Sequence, residues 1–327
     1  MTQIRAPWFA KKRIVITGGA GFLGRAVVEK LRANGCGDVF AVRRAEFDLT
    51  RCDNIERLFD STRPEVLLHL AAATANPPGR SNAAASFYDN VMMSTQLIEA
   101  ACRHGVDKIL CLGSASSYPD CDVPLLAEGE LFHGLPEAYR VAHGVAKRLP
   151  LIQAQAYRAQ YGLACIFLIP TNLYGPGDNF DAATSYVIPS LIRRFAQAID
   201  GRHGQVTLRG TGRAERDFLH VEDCAEGILL ALNRYTAGDA VNLATGVGHT
   251  VRQLAQLISE ISGYSGNIVW DGVSAGESPR RVLDPRLAEK QFGFRATWNL
   301  SDGLRQTISW YRKAAGSGQP QSMASHA

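Results

Sequence analysis

Cysteine is scarce in this 327-residue chain and follows no pattern: seven residues, at 36, 52, 102, 111, 121, 165 and 224, with no CxxC pair. An odd, scattered set excludes a disulfide framework and a zinc ribbon, and it fits reduced thiols in a cytoplasmic protein with no bound metal. Long apolar runs are absent as well. Nothing approaches the ~20 residues needed to cross a bilayer, and the opening "MTQIRAPWFAKK" lacks a signal-peptide apolar stretch, so no membrane partner is expected. Charge of one sign is also in short supply. Thirty-five Lys and Arg against 31 Asp and Glu leave +4, with no dense basic run to bind nucleic acid. That mild balance suits an anionic small molecule. There is no internal repeat or low-complexity block, and "GSGQPQSMASHA" (316–327) reads as a loose, flexible tail.

What is present is an ordinary globular composition, 46% hydrophobic and 20% charged, on a chain long enough for one large domain or two joined ones. "RIVIT" (13–17), "VFAV" (39–42), "VLLHLA" (66–71), "KILCLGS" (108–114) and "ACIFLIP" (164–170) read as buried strands. Helical patterns at 24–34, 86–104 and 139–161 lie between them. Near-continuous apolar strands alternating with helices predict an α/β fold, a Rossmann-type doubly wound parallel sheet covered on both faces. After residue 172 the rhythm loosens into Gly-, Pro- and Asp-rich loops, with helices expected at 185–199, 221–234, 250–262 and 301–314. This divides the chain into a cofactor domain, 1–172, and a smaller substrate-binding domain, 173–315, with some chain crossing back.

Directly after the first strand stands "TGGAGFLG", with Gly18, Gly21 and Gly24 at GxxGxxG spacing. One glycine serves the tight turn, one the close approach of a pyrophosphate, and one the packing of helix on strand. The helix that follows, opening with Phe22 and Leu23, presents free N–H groups and its positive end to phosphates. Placed between strand and helix, the motif predicts dinucleotide binding. The second strand ends "AVRRAEFDL". Arg43 and Arg44 suit a 2′-phosphate, which favours NADP over NAD. Asp48 and Leu49 are candidates beside the adenine, with a helix-capping role for Asp48 as the alternative.

With "HLAA" (69–72), a serine-bearing strand end at 113–118 and Tyr139 following in order, the chain resembles the extended short-chain dehydrogenase/reductase family. "FYDNVMM" (87–93), "PTNLYGPGDNFD" (170–181), "VIPSLIRRF" (187–195), "RDFLHVEDCAEGI" (216–228) and "SPRRVLD" (278–284) resemble its GDP-L-fucose synthase branch. The resemblance implies NADP, a GDP-linked 4-keto-6-deoxyhexose substrate, and epimerisation at C3 and C5 followed by reduction at C4. It puts Leu70, Ala71, Ala72, Pro170, Asn172 and Leu173 beside the cofactor; Asn90 is a candidate there too, with a structural polar group inside the helix as the alternative. Asn179, Tyr186, Val187, Arg194, Arg216 and Arg281 are implied near the nucleotide sugar together with Asn172. For Arg216 and Arg281 the alternative is an ion pair. The resemblance also implies a homodimer through helices 86–104 and 139–161.

The chain departs from the family at its chemistry. A cysteine and a histidine supply the family's epimerisation; here Ser116 and Tyr186 stand in their places, and neither a hydroxyl nor a phenol is a base near neutrality. The family's proton-donating tyrosine is followed one turn later by a lysine. In "EAYRVAHGVAKRL" (137–149) a helix through Tyr139 puts His143 at that position. Lys147, eight residues and ~12 Å along from Tyr139 and about 80° off the line, is set aside. This reading makes Tyr139 the donor, Ser114 the hydroxyl on the ketone oxygen, and His143 the ribose anchor, which activates the phenol only when protonated. It predicts a GDP-sugar oxidoreductase without the ordinary double epimerisation. The alternatives are an epimerase or dehydratase that retains its NAD(P), and a non-catalytic nucleotide-binding protein on the same scaffold.

Overall fold

The structure, a computed structural model, describes residues 7–73, 82–121, 123–273 and 279–316. The tail from 317 onward, and Ser278 of "SPRRVLD", fall outside the described residues. In the first part of the chain β1 (Ile14–Thr17), α1 (Phe22–Ala33), β2 (Val39–Ala41), α2 (Cys52–Thr62), β3 (Val66–His69), α3 (Ala83–Arg103) and β4 (Lys108–Leu112) follow in turn. Next come α4 (Val141–Ala146), α5 (Leu149–Tyr161), β5 (Cys165–Pro170), β6 (Asn172–Tyr174) and α6 (Val187–Asp200). The chain closes with β7 (Gln205–Leu208), β8 (Glu215–His220), α7 (Val221–Arg234), β9 (Ala240–Leu243), β10 (Gly248–Thr250), α8 (Val251–Ser262), β11 (Asn267–Trp270), β12 (Arg280–Arg281), α9 (Arg286–Phe292) and α10 (Leu300–Gly316).

Six parallel strands form the main sheet in the order β2-β1-β3-β4-β5-β9. Every residue of β1, β3 and β4 is buried, because helices cover both faces of the sheet. One face packs Leu58 and Phe59 of α2, Leu97 and Ile98 of α3, and Leu151 of α5. The other packs Val27 and Leu31 of α1, Ile228 and Leu232 of α7, and Phe292 of α9. The expected doubly wound sheet is present. Two of its pieces escaped the sequence reading: α2, and β9 as sixth strand. A third cluster, including Phe180, Phe195, Ile258 and Ile308, fills the space among α6, α8 and α10.

The helix expected over 139–161 is not continuous. Ala138–Arg140 forms a single 3-10 turn whose last residue, Arg140 at φ −119 and ψ 1, is the non-helical junction to α4. A second interruption separates α4 from α5, where Pro150 occupies the first turn of the new helix. Proline has no N–H to offer the carbonyl four residues earlier, so the chain restarts there.

Candidate active site

Strand order reverses between β1 and β3, and the crevice at their carboxyl ends is where open α/β sheets take ligands. Gly18 lies there at φ +70, and a Cβ on it would stand 2.8 Å from the Ala71 backbone nitrogen. At Gly24 a Cβ would come within 2.0 Å of the Gly18 carbonyl. The cradle therefore needs glycine at both positions, and Gly21 accepts the first backbone bond of α1 from Arg25 N (3.0 Å). No side chain caps the start of α1, so its first N–H groups, from Phe22 and Leu23 on, are free for phosphate oxygens. Arg43 and Arg44 are exposed just past β2, open to a 2′-phosphate. A dinucleotide phosphate fits these residues.

The "HLAA" segment forms the opposite wall. Thr17 Oγ1 meets His69 Nδ1 at 2.8 Å and accepts from the Ala71 N–H at 3.2 Å. Leu70 N donates to Thr17 O, while Ala72 is exposed. Asn90 is fully buried; its Oδ1 accepts from Ala73 N (3.0 Å) and its Nδ2 donates to Ala73 O (2.8 Å). Its task is to fix this wall. Asp48 Oδ1 accepts from the Thr50 N–H and hydroxyl, which holds the turn before α2 and drops the carboxyl below its ordinary value. Leu49 packs in the core behind it.

At the end of β4, Ser114 Oγ accepts from Ser116 N and lies 2.7 Å from Ser116 Oγ. Among the described residues, no base bonds to Ser116. α4 sits directly on this turn, since a Cβ at Gly144 would be 2.6 Å from the Ser116 carbonyl. Tyr139 is 41% exposed, with the Arg140 guanidinium 5.1 Å from its ring centre. Desolvation raises the Tyr139 phenol above its usual value despite the lowering effect of Arg140. Tyr139 lies in the 3-10 turn before α4, the helix that carries His143, so the two do not stand on one continuous helix. This corrects the shared helix face.

His143 is mostly buried, and its Nδ1 has no partner. Burial, then the cations Lys147 and Arg140, lower its pKa to about 4. Lys147 is 5% exposed, and its Nζ donates to Leu112 O at the carboxyl end of β4 (3.3 Å). Burial pulls its pKa down to about 8, and its charge in turn helps burial hold His69 neutral, near a pKa of about 3. Lys147 thus stands between the ends of β3 and β4. Its burial went unread because its position was measured along a helix from Tyr139; the apolar flanks of "GVAKRL" were the available signal.

The remaining candidates lie on the second half of the chain. Pro170 ends β5 beside β9, and Asn172 Nδ2 donates to Asp217 O across β6 and β8 (2.8 Å). Leu173 packs on the α7 side of the core. Asn179 closes the 178–184 loop by donating to Thr184 Oγ1 and accepting from Asp181 N. Exposed Tyr186 is the residue before α6, and Val187 begins it. Arg194 is exposed and donates to Thr207 O. Arg216 is buried, with Nη1 on the Glu215 carbonyl. Arg281 forms a buried ion pair with Glu137 at 2.8 Å, the alternative weighed for it.

A dinucleotide cradle at a switch point, with hydroxyl, imidazole and ammonium groups gathered at the next strand end, defines a nucleotide-cofactor enzyme of the short-chain dehydrogenase type. Residues 14–244 match the NAD dependent epimerase/dehydratase family, and the chain belongs to it. GDP-L-fucose synthase 1 of Arabidopsis thaliana is 36% identical over 303 residues, 92% of this chain and 93% of that protein. GDP-L-fucose synthase of Escherichia coli (strain K12) is 32% identical, covering 92% and 97%. Among solved structures, MlghC, a GDP-mannoheptose C4 reductase from Campylobacter jejuni with NADP bound, superposes with a TM-score of 0.82 at 27% identity, covering 93% of this chain and 99% of that one.

Proposed function

We infer that the protein is an NADP-dependent oxidoreductase that reduces the keto group of a GDP-linked deoxyhexose, without the usual epimerisation at C3 and C5. The observation that carries this reading is the glycine cradle set beside the polar cluster that ends β4. The cradle takes the pyrophosphate, exposed Arg43 and Arg44 take the 2′-phosphate, and Ser114 offers a hydroxyl to the ketone oxygen. When bound, NADPH supplies the hydride. The relatives named GDP-L-fucose synthase and the Campylobacter C4 reductase with NADP support the substrate class and the cofactor. Ser116, whose hydroxyl meets only Ser114 among the described residues, and Tyr186, a phenol at the start of α6, are not bases near neutrality, which speaks against proton abstraction next to the ketone.

The same reading makes the protein a cytoplasmic homodimer. All seven cysteines are free, and among the described residues no helix is long and apolar enough to cross a membrane. The outer faces of α3 and α5 carry the exposed rings Tyr88 and Tyr161 that a second copy would cover.

The test is to incubate the purified protein with NADPH and GDP-4-keto-6-deoxymannose, following absorbance and identifying the product sugar. The expected result is stoichiometric NADPH oxidation, faster than with NADH, and a product reduced at C4 with C3 and C5 unchanged. Protein that binds no nicotinamide nucleotide and consumes none refutes the reading. Cofactor retained without net loss points to the epimerase or dehydratase alternative.

A further inference from the structure

We propose that the groove between α8 and the open edge of β11 binds an extended segment of a partner protein as a third strand, with an acidic residue toward Arg252 and a basic one toward Glu260. Its lining shares no residue with the cofactor crevice, and the proposal stands independently of the reaction.

Strands β11 and β7 form a parallel two-stranded sheet, with Asn267 opposite Gln205 and Trp270 opposite Leu208. Asn267 N and Asp271 N donate across it to Gly204 O (2.8 Å) and Leu208 O (3.0 Å). Peptide groups alternate in direction along a strand, so those of Ile268 and Trp270 face the other edge. On the far edge of β7 the same alternation turns Thr207 outward, and there Arg194 Nη1 donates to its carbonyl (3.2 Å). No described strand pairs with the outer edge of β11. Native sheets blunt such edges with lysine, proline or a bulge; "NIVW" (267–270) carries neither lysine nor proline.

Beside this edge lies a cavity of about 490 Å³, whose lining includes Ile268 and Trp270 of β11 and Arg252, Gln256, Leu257 and Glu260 of α8. Arg252, Gln256 and Glu260 recur every fourth residue and make one stripe. The stripe spans ~12 Å, the length of about four strand residues. Leu257, Ile268 and Trp270 give it an apolar floor for alternate side chains of an added strand. That floor is set in advance. The Trp270 ring packs on Gly212, where a Cβ would stand 2.7 Å from it, and the Arg252 guanidinium is 5.1 Å from its centre.

The two ends of the groove differ in charge. Arg252 Nη2 donates to Thr211 O (2.8 Å), and Glu260 Oε1 accepts from Gln256 Nε2 (2.9 Å). Neither meets an opposite charge among the described residues. A segment with one acidic and one basic end supplies both. A second copy joined at this edge would carry its own α8 under the added strand, where the stripe already lies. The space therefore takes a strand with nothing beneath it.

Fluorescein-labelled hexapeptides test this by anisotropy. Asp-Val-Thr-Val-Thr-Lys and Lys-Val-Thr-Val-Thr-Asp cover both strand directions, and Lys-Val-Thr-Val-Thr-Lys is the control. At least one mixed-charge peptide should bind with a Kd on the order of 10–100 µM, about fivefold tighter than the control. Amide exchange at Ile268 and Trp270, read by NMR, should slow on binding. Glu260→Arg makes both ends basic, so its preference should shift to Asp-Val-Thr-Val-Thr-Asp. Ile268→Pro removes an outward N–H that β7 does not use, and should weaken binding at least about tenfold in protein that still melts cooperatively. No anisotropy change up to about 1 mM peptide overturns the proposal, as does binding that leaves exchange at Ile268 and Trp270 unaltered. An unchanged preference in Glu260→Arg overturns the charge assignment.

Discussion

A methyl group at position 24 has no room. Its carbon would stand 2.0 Å from the Gly18 carbonyl and 2.6 Å from Gly19 Cα, and both are backbone atoms of the cradle. Gly24→Ala should therefore push the turn off α1, lowering stability by about 1–3 kcal/mol and removing most NADPH affinity; a thermal melt and a fluorescence titration read the two effects. Unaltered binding would mean that the cradle does not hold the pyrophosphate. Asp178 makes a different demand. It is buried, its Oδ2 has no partner, and burial raises its carboxyl from 3.8 to about 7. The folded chain holds this proton more tightly than the unfolded one, so its contribution is full below about pH 4 and lost as pH rises toward 7. The loss is at most about 4 kcal/mol. Asp178→Asn keeps the shape without the ionisation, so its melting temperature relative to wild type should rise between pH 4.5 and pH 8. A constant difference would rule out a buried neutral acid. The glycines were legible in the sequence because tight turns restrict residue type. Burial of Asp178 was not, because "GPGDNF" reads as an exposed loop.

Elements were legible where one periodicity persists and hidden where two short ones meet. Strands β1, β3, β4 and β5 stood out as apolar runs, and α8 matched within a residue, its start fixed by the Thr250–Gln253 capping box. The 139–161 segment looked continuous because its apolar residues keep a helical rhythm across two breaks. Only packing reveals the first break: Glu137 is anchored to Arg281, so the chain enters the helix from a fixed point. Misreading that break put Tyr139 and His143 on one continuous helix. The ion pair also ties two-residue β12 to the entrance of α4. Both side chains are at most 6% exposed, so Arg281→Met should cost 3–5 kcal/mol, on the order expected for breaking a buried pair. Adding Glu137→Gln should recover much of that loss, because the carboxylate no longer lacks its cation. Urea unfolding of the two singles and the double reads the coupling. Additive losses would show that the pair contributes no coupling energy.

At the scale of the whole molecule, the two faces of the sheet are finished differently. α7, β9 and α9 return from the second half of the chain to complete the sheet and the face carrying α1, a crossing that the sequence suggested only in outline. On the opposite face α3 and α5 lie side by side, joined by Gln153 Nε2 donating to Thr95 O (2.9 Å) and by Tyr157 to Glu99. No described element covers their outer surfaces, where Tyr88 is 58%, Ile152 49% and Tyr161 58% exposed. Large rings and a branched aliphatic on two adjacent helices make a face that a second copy can bury in an isologous contact. The wild type should therefore sediment as a dimer in analytical ultracentrifugation at micromolar concentrations, and Tyr88→Asp with Ile152→Asp as a monomer. NADPH affinity should hold in that monomer, since the cradle is built from β1, α1 and the end of β3. A wild type that sediments as a monomer defeats the dimer assignment. A monomeric variant that loses NADPH would instead show that the α3–α5 face steadies the cradle through the Asn90–Ala73 contact.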